Sequence, residues 1–201
     1  MPTVKSWLRA LGVLVLPAHA SAQLRAELTP FVGSYYAMGS LGTQVAGVEE
    51  EKQENQPVFG GTLVVRLTQT LGVEGAFALT PSGVNVTGTA NQGFSGTIMF
   101  ASARARVSVP RTNLYGLGGL GLVVRGGQAW EGTQFTSLSS IAGIVGFGTQ
   151  AEVSRSARID VKAELNLYSA DPDGDGASYE SKVQADLLVG LGVPISLSRR
   201  R

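Results

Sequence analysis

The sequence predicts an all-β fold: an antiparallel, up-and-down transmembrane β-barrel of about eight strands, with long loops at one end and short turns at the other. Three observations predict it. Apolar and polar residues alternate with a period of two along most of the chain. The connections between the alternating segments are long and short in turn. No stretch past the N-terminal region is continuously apolar for the ~18 residues that a membrane helix needs, so a membrane span here would have to be made of strands.

The N-terminal region reads as an export signal. Lys5 and Arg9 give a positive start, residues 10–16 are apolar, Pro17 ends the run, and Ala20-Ser21-Ala22 is a small-residue cleavage site. The expected organisation is therefore a signal peptide over residues 1–22 and one barrel over residues 23–201. A retained membrane helix fits less well, because spanning takes about 20 apolar residues. Cleavage removes Lys5 and Arg9 from a chain with 16 Lys+Arg and 15 Asp+Glu, leaving it near neutral and slightly acidic. No nucleic-acid footprint is present. The single histidine, His19, leaves with the signal, and the chain has no cysteine. Disulfides, thiolate metal sites and imidazole chemistry are thereby excluded from the mature protein.

The strands are read in order as residues 24–37, 57–67, 71–79, 94–107, 113–124, 138–153, 157–168 and 182–197. Each is long enough for a tilted strand to cross hydrocarbon, which takes about 9–11 residues. The first places Arg25 and Glu27 on its inward face, the second Arg66, the third Glu74, and the fourth Arg104 and Arg106. The fifth is glycine-rich. Its Gly116-Leu117-Gly118-Gly119-Leu120-Gly121 fits G-x-G-x-x-G, but a dinucleotide site needs a helix to start there. A strand end and turn follow instead, so these glycines are read as easing strand packing. The sixth carries Glu152.

The seventh is the clearest. Ala157, Ile159, Val161, Ala163, Leu165 and Leu167 alternate with Arg158, Asp160, Lys162, Glu164, Asn166 and Tyr168. Successive strand side chains point to opposite faces, so one face is wholly apolar and the other wholly polar. The eighth alternates likewise from Val183 to Leu197, with Asp186 on the inward face.

Connections 38–56, 80–93, 125–137 and 169–181 are long and polar, whereas 68–70, 108–112 and 154–156 are short. An even number of strands starting inside puts all long loops outside the cell and all short turns in the periplasm. Phe31, Tyr35, Tyr36, Phe59, Phe77, Phe94, Phe100, Phe147 and Tyr168 fall toward strand ends, where interfacial girdles use aromatics; ordinary β-propensity gives the same pattern.

Strands two and three run Phe59-Gly60-Gly61-Thr62-Leu63-Val64-Val65-Arg66-Leu67, then Leu71-Gly72-Val73-Glu74 after a three-residue turn. This hairpin resembles the F-G-G-x-L-x-x-R-L-x-x-x-L-G-V-E hairpin of outer-membrane β-barrel-domain proteins, the small barrels of the outer membrane protein A and X type. Residues 28–33 and 113–121 are similar to a first and a mid-barrel strand of the same family, and the resemblance covers essentially the whole mature chain. It implies an integral outer-membrane protein whose partners are outer-membrane lipid, lipopolysaccharide and the membrane's assembly machinery. The resemblance describes a barrel rather than a reaction.

The inward face carries both signs of charge in balance: Arg25, Arg66, Arg104, Arg106, Arg158 and Lys162 against Glu27, Glu74, Glu152, Asp160, Glu164 and Asp186. About eight strands leave an interior that side chains fill. Charges there must pair or be hydrated, because an isolated buried charge is very costly. The expected result is a lumen plugged by ion pairs in a monomeric barrel with a structural or surface-binding role. A minor small-solute channel stays open as an alternative, as does a soluble secreted lipocalin-like barrel. No cofactor, metal site or enzymatic activity is expected: a serine nucleophile needs a base beside it, and no histidine supplies one. Asp171-Pro172-Asp173-Gly174-Asp175 resembles half a calcium loop, but the twelfth position is Lys182 where a bidentate Glu belongs. With Glu49-Glu50-Glu51 it reads as a solvated acidic loop able to bridge lipopolysaccharide through divalent cations.

Overall fold

The structure, a computed structural model, describes residues 25–38, 42–43, 50–53, 55–87, 92–127, 139–154, 157–170 and 182–197. The expected signal peptide (residues 1–22), the acidic run at Asp171–Asp175 and residues 198–201 lie outside these. The described elements are β1 (Arg25–Ala37), β2 (Gly42–Thr43), β3 (Glu50–Gln53), β4 (Gln56–Arg66), β5 (Leu71–Thr87), β6 (Gln92–Ser108), β7 (Leu114–Gly126), β8 (Ser139–Glu152), β9 (Arg158–Ala170), β10 (Lys182–Gly192) and β11 (Ile195–Ser196).

β1 and β4 to β10 close into a barrel of eight antiparallel strands. Each pairs with its neighbour in that order, and β1 closes the ring by pairing with both β4 and β10. Closure matters physically: in hydrocarbon every backbone N–H and C=O must be satisfied within the sheet, and a closed sheet has no edge.

Burial alternates along the strands as the sequence alternates. The outer face is apolar, with Val32, Phe59, Leu63, Phe77, Leu120, Ile141, Phe147, Val161 and Leu191 all exposed. The inner face holds the buried charges and a cluster of Phe31, Tyr35, Val58, Ile98, Phe100, Val123 and Tyr168 toward the long-loop end. A soluble lipocalin-like barrel needs the reverse, apolar inside and polar outside, and the geometry contradicts that alternative. The aromatics divide by strand parity rather than forming one girdle. Tyr36, Phe59, Phe77 and Phe147 face out, whereas Phe31, Tyr35, Phe100 and Tyr168 are buried inside.

Three boundaries differ from the sequence reading. The expected loop 80–93 is mostly strand: β5 and β6 stay paired as far as Val86↔Gln92, leaving only residues 88–91 between them. Pro81 fits within β5 because it lies opposite Thr97 beyond the last β4–β5 pair, Phe59↔Leu79, where β5 has no β4 neighbour to supply with a hydrogen bond. Part of the expected loop 38–56 also pairs, with β3 running along β5 from Glu50↔Thr87 to Gln53↔Val84.

The eighth expected strand is interrupted at Val193–Pro194, since proline carries no N–H. Its register survives the interruption. Phe31↔Gly192 before it and Leu28↔Ile195 after it belong to one ladder, bridged by Val193 N–H to the Pro30 carbonyl at 3.2 Å.

Candidate functional site

Strand pairing sets three layers of polar side chains inside the barrel. At the short-turn end, Glu27 of β1 sits between Arg66 of β4 at 3.2 Å and Arg158 of β9 at 2.8 Å. Arg66 also donates to Gln150 Oε1 at 3.2 Å, and Gln150 donates onward to Asp160 Oδ2 at 2.9 Å.

The middle layer is buried throughout and holds the most ion pairs among the described residues. Glu74 and Arg104 face each other across β5 and β6 in direct register, 3.5 Å apart, and Arg106 reaches the other oxygen of Glu74 at 3.3 Å. From β6 the same two arginines cross the lumen to β9: Arg104 meets Glu164 at 2.6 Å and Arg106 meets Asp160 at 3.5 Å. Lys162 shares Glu164 Oε1 at 2.7 Å and lies 4.0 Å from the centre of the Phe31 ring. Tyr115 donates to Asp160 at 2.6 Å, and the Arg106 guanidinium stacks on its ring at 3.4 Å. β6 and β9 are not neighbours in the sheet, so these contacts tie opposite walls together.

The layer toward the long loops is smaller. Tyr168 donates to Asp186 at 2.6 Å, and Arg125 lies over the Tyr168 ring at 4.8 Å and reaches the Ser140 hydroxyl at 3.5 Å.

Glycines on adjoining strands make room for these long side chains. Arg104 is opposite Gly119, Arg106 opposite Gly72, Glu164 opposite Gly146, and Lys162 lies between Gly148 and Gly190. A Cβ at Gly148 would collide with the Tyr115 hydroxyl, and one at Gly190 would sit 3.0 Å from the Phe31 ring. The G-x-G-x-x-G run is thus strand β7 with space beside Arg104, and no helix begins there.

Of the twelve expected lumen residues, Glu27, Glu74, Arg104, Arg106, Asp160, Lys162, Glu164 and Asp186 are buried. Arg66 and Arg158 are half-buried at the short-turn mouth. Arg25 is exposed at that same mouth. Glu152 departs from the expectation. It is exposed and forms no ion pair among the described residues: at Glu152 β8 still pairs with β9 but has passed its last β7 pair, Leu114↔Thr149, and residues 151–154 are all exposed. Sequence reading missed Tyr115, Gln150 and Arg125. The first two occupy the inward parity of their strands, a usable signal; Arg125 falls in the expected connection 125–137, whereas β7 runs on to Gly126.

An open cavity of about 980 Å³ occupies the short-turn mouth, lined by Arg25, Glu27, Arg66, Arg106, Arg111 and Arg158 among others. Among the described residues no group of three His, Cys, Asp or Glu side chains is placed to hold a metal ion.

Solved structures share this architecture. Outer membrane protein AlkL, solved in lipid bilayers, is similar at 11% identity and a TM-score of 0.55, over 88% of this chain and 92% of that one. Neisserial surface protein A is similar at 11% identity and a TM-score of 0.51, over 87% and 97%. The outer membrane protein Ail of Yersinia pestis, in a phospholipid nanodisc, aligns at 16% identity and a TM-score of 0.48, over 86% and 99%. At such identities the first two establish the fold, that of the small outer-membrane barrels. No protein-family model matches the chain, nor does any curated protein.

Proposed function

We propose that this protein is an integral outer-membrane barrel with a structural or surface-binding role, its lumen closed by ion pairs. The observation that carries this reading is the two-sidedness of the wall. Large apolar side chains cover the outside of a closed sheet, while Arg104, Arg106, Lys162, Glu74, Asp160 and Glu164 bridge the inside. A belt of that kind suits lipid, whereas a soluble monomer rarely exposes so large a contiguous apolar surface. Outer-membrane lipid and lipopolysaccharide are the expected surroundings, reached after signal cleavage at Ala22 and insertion by the membrane's assembly machinery. The protein acts as a monomer and catalyses no reaction.

Fractionation tests location, and conductance tests closure. The native protein is expected in the outer-membrane fraction as a band whose mobility shifts on heating. The purified barrel is expected to leave a planar bilayer without stable conductance steps. Recovery from the soluble periplasm would overturn the membrane assignment, and steady ion-selective conductance would overturn the closed lumen. The mature chain should begin at Gln23 by mass spectrometry.

A further inference from the structure

The balance of charge expected for the whole lumen does not hold along its axis. In the middle layer Arg104, Arg106 and Lys162 answer Glu74, Asp160 and Glu164. Among the described residues, the short-turn cavity is lined by five arginines, Arg25, Arg66, Arg106, Arg111 and Arg158, and by one carboxylate, Glu27. Glu27 is already held by Arg66 and Arg158, and Arg106 is engaged by Glu74 and Asp160. Arg25 and Arg111 form no ion pair among the described residues. Glu152, the other acid at this end, is exposed and does not line the cavity.

We propose that this cavity binds an anion carrying two or more phosphate groups. A guanidinium presents a planar fork of donors that matches phosphate oxygens two at a time, and it stays charged at any ordinary pH. One sign of charge inside a concave, low-dielectric wall focuses the field and concentrates counter-ions. The volume, about 980 Å³, far exceeds one orthophosphate, so several anionic groups are needed to meet arginines carried on β1, β4, β6, the β6–β7 turn and β9. The same chemistry has two sources: a soluble polyphosphorylated molecule, or the headgroups of phospholipids in the adjoining leaflet. The site belongs to one end of the barrel and does not depend on the role proposed above.

The test is calorimetric titration of the refolded full chain in a nonionic detergent with inorganic tripolyphosphate. One saturable site is expected, weakening as salt is raised. Arg25→Ser with Arg111→Ser should weaken it by about tenfold or more. These two residues take no part in the barrel's ion pairs, so the variant's heat-modifiable band should be unchanged, which separates lost binding from lost folding. Absence of saturable binding would overturn the proposal. So would binding untouched by the double substitution, or citrate binding as tightly as tripolyphosphate. Nanodiscs distinguish the sources. Lower tripolyphosphate affinity in discs containing cardiolipin, which carries two phosphates, than in phosphatidylglycerol discs of equal surface charge identifies headgroups as the occupant. Equal affinity in both identifies a soluble ligand.

Discussion

Glu164 holds two cations with one oxygen, Arg104 at 2.6 Å and Lys162 at 2.7 Å, and only about 5% of the residue is exposed. Glu164→Ala would leave Lys162 with no acid at all among the described residues, and Arg104 with only the longer contact to Glu74. Breaking one side of a buried pair costs about 3–5 kcal/mol when water cannot reach the orphan. Urea unfolding of the refolded barrel should therefore show a clear loss of stability for Glu164→Ala. Glu152→Ala, at an exposed position, should stay within about 0.5 kcal/mol of the parent. Equal midpoints for the two variants would mean that the lumen is hydrated. The inward charges were legible because strand parity alone chooses the face of each side chain. Their partners were not. Arg104 and Glu164 lie far apart in sequence on non-adjacent strands, and only closure of the sheet brings them together. The hydroxyls of Tyr115 and Tyr168 satisfy Asp160 and Asp186; strand parity turns both rings inward but does not say which acid each one meets.

At the scale of the element, β9 shows why alternation is a reliable signal in a barrel. Each outward residue must suit lipid and each inward residue must suit its neighbours, so neither face can drift in register. Val161 stands on the lipid side, 40% exposed, between the inward Asp160 and Lys162. Val161→Arg places a charge in the apolar belt at a cost of about 2–4 kcal/mol near the midplane and less near the interfaces. Insertion into lipid vesicles, read as the fraction of heat-modifiable protein, should fall for Val161→Arg and change little for Val161→Ala. Similar yields for the two would place this face away from lipid. Strand existence and strand ends were not equally legible. All eight barrel strands could be read because each carries an apolar face. The outer reaches of β5 and β6 and the short β2 and β3 are held by backbone pairing, which leaves no periodic trace, so the sequence reading ends the third strand at Leu79.

The whole molecule is polar along its axis. Arg25 and Ser196 lie at the same end as the turns at residues 67–70, 109–113 and 153–157, because an even number of strands returns the chain to its starting side. That end carries Arg66, Arg111 and Arg158, whereas the connections at the other end carry Glu49, Glu50, Glu51, Asp171, Asp173 and Asp175 in the sequence. If the long connections meet the exterior, as the rhythm of the barrel implies, the acidic end faces lipopolysaccharide and its divalent cations, and the basic end faces the periplasm and the inner leaflet. The chain contains no cysteine, so single introduced thiols give a clean readout of this orientation. Glu50→Cys and Asp173→Cys should react in intact cells with a membrane-impermeant maleimide. Arg111→Cys should react only after the outer membrane is opened. Arg111 takes a positive φ of 63° in its turn, so Arg111→Gly, which suits that backbone, serves as a check that the turn tolerates replacement. Labelling at Arg111→Cys in intact cells, with the two acidic positions protected, would invert the barrel and would move the basic cavity to the cell surface.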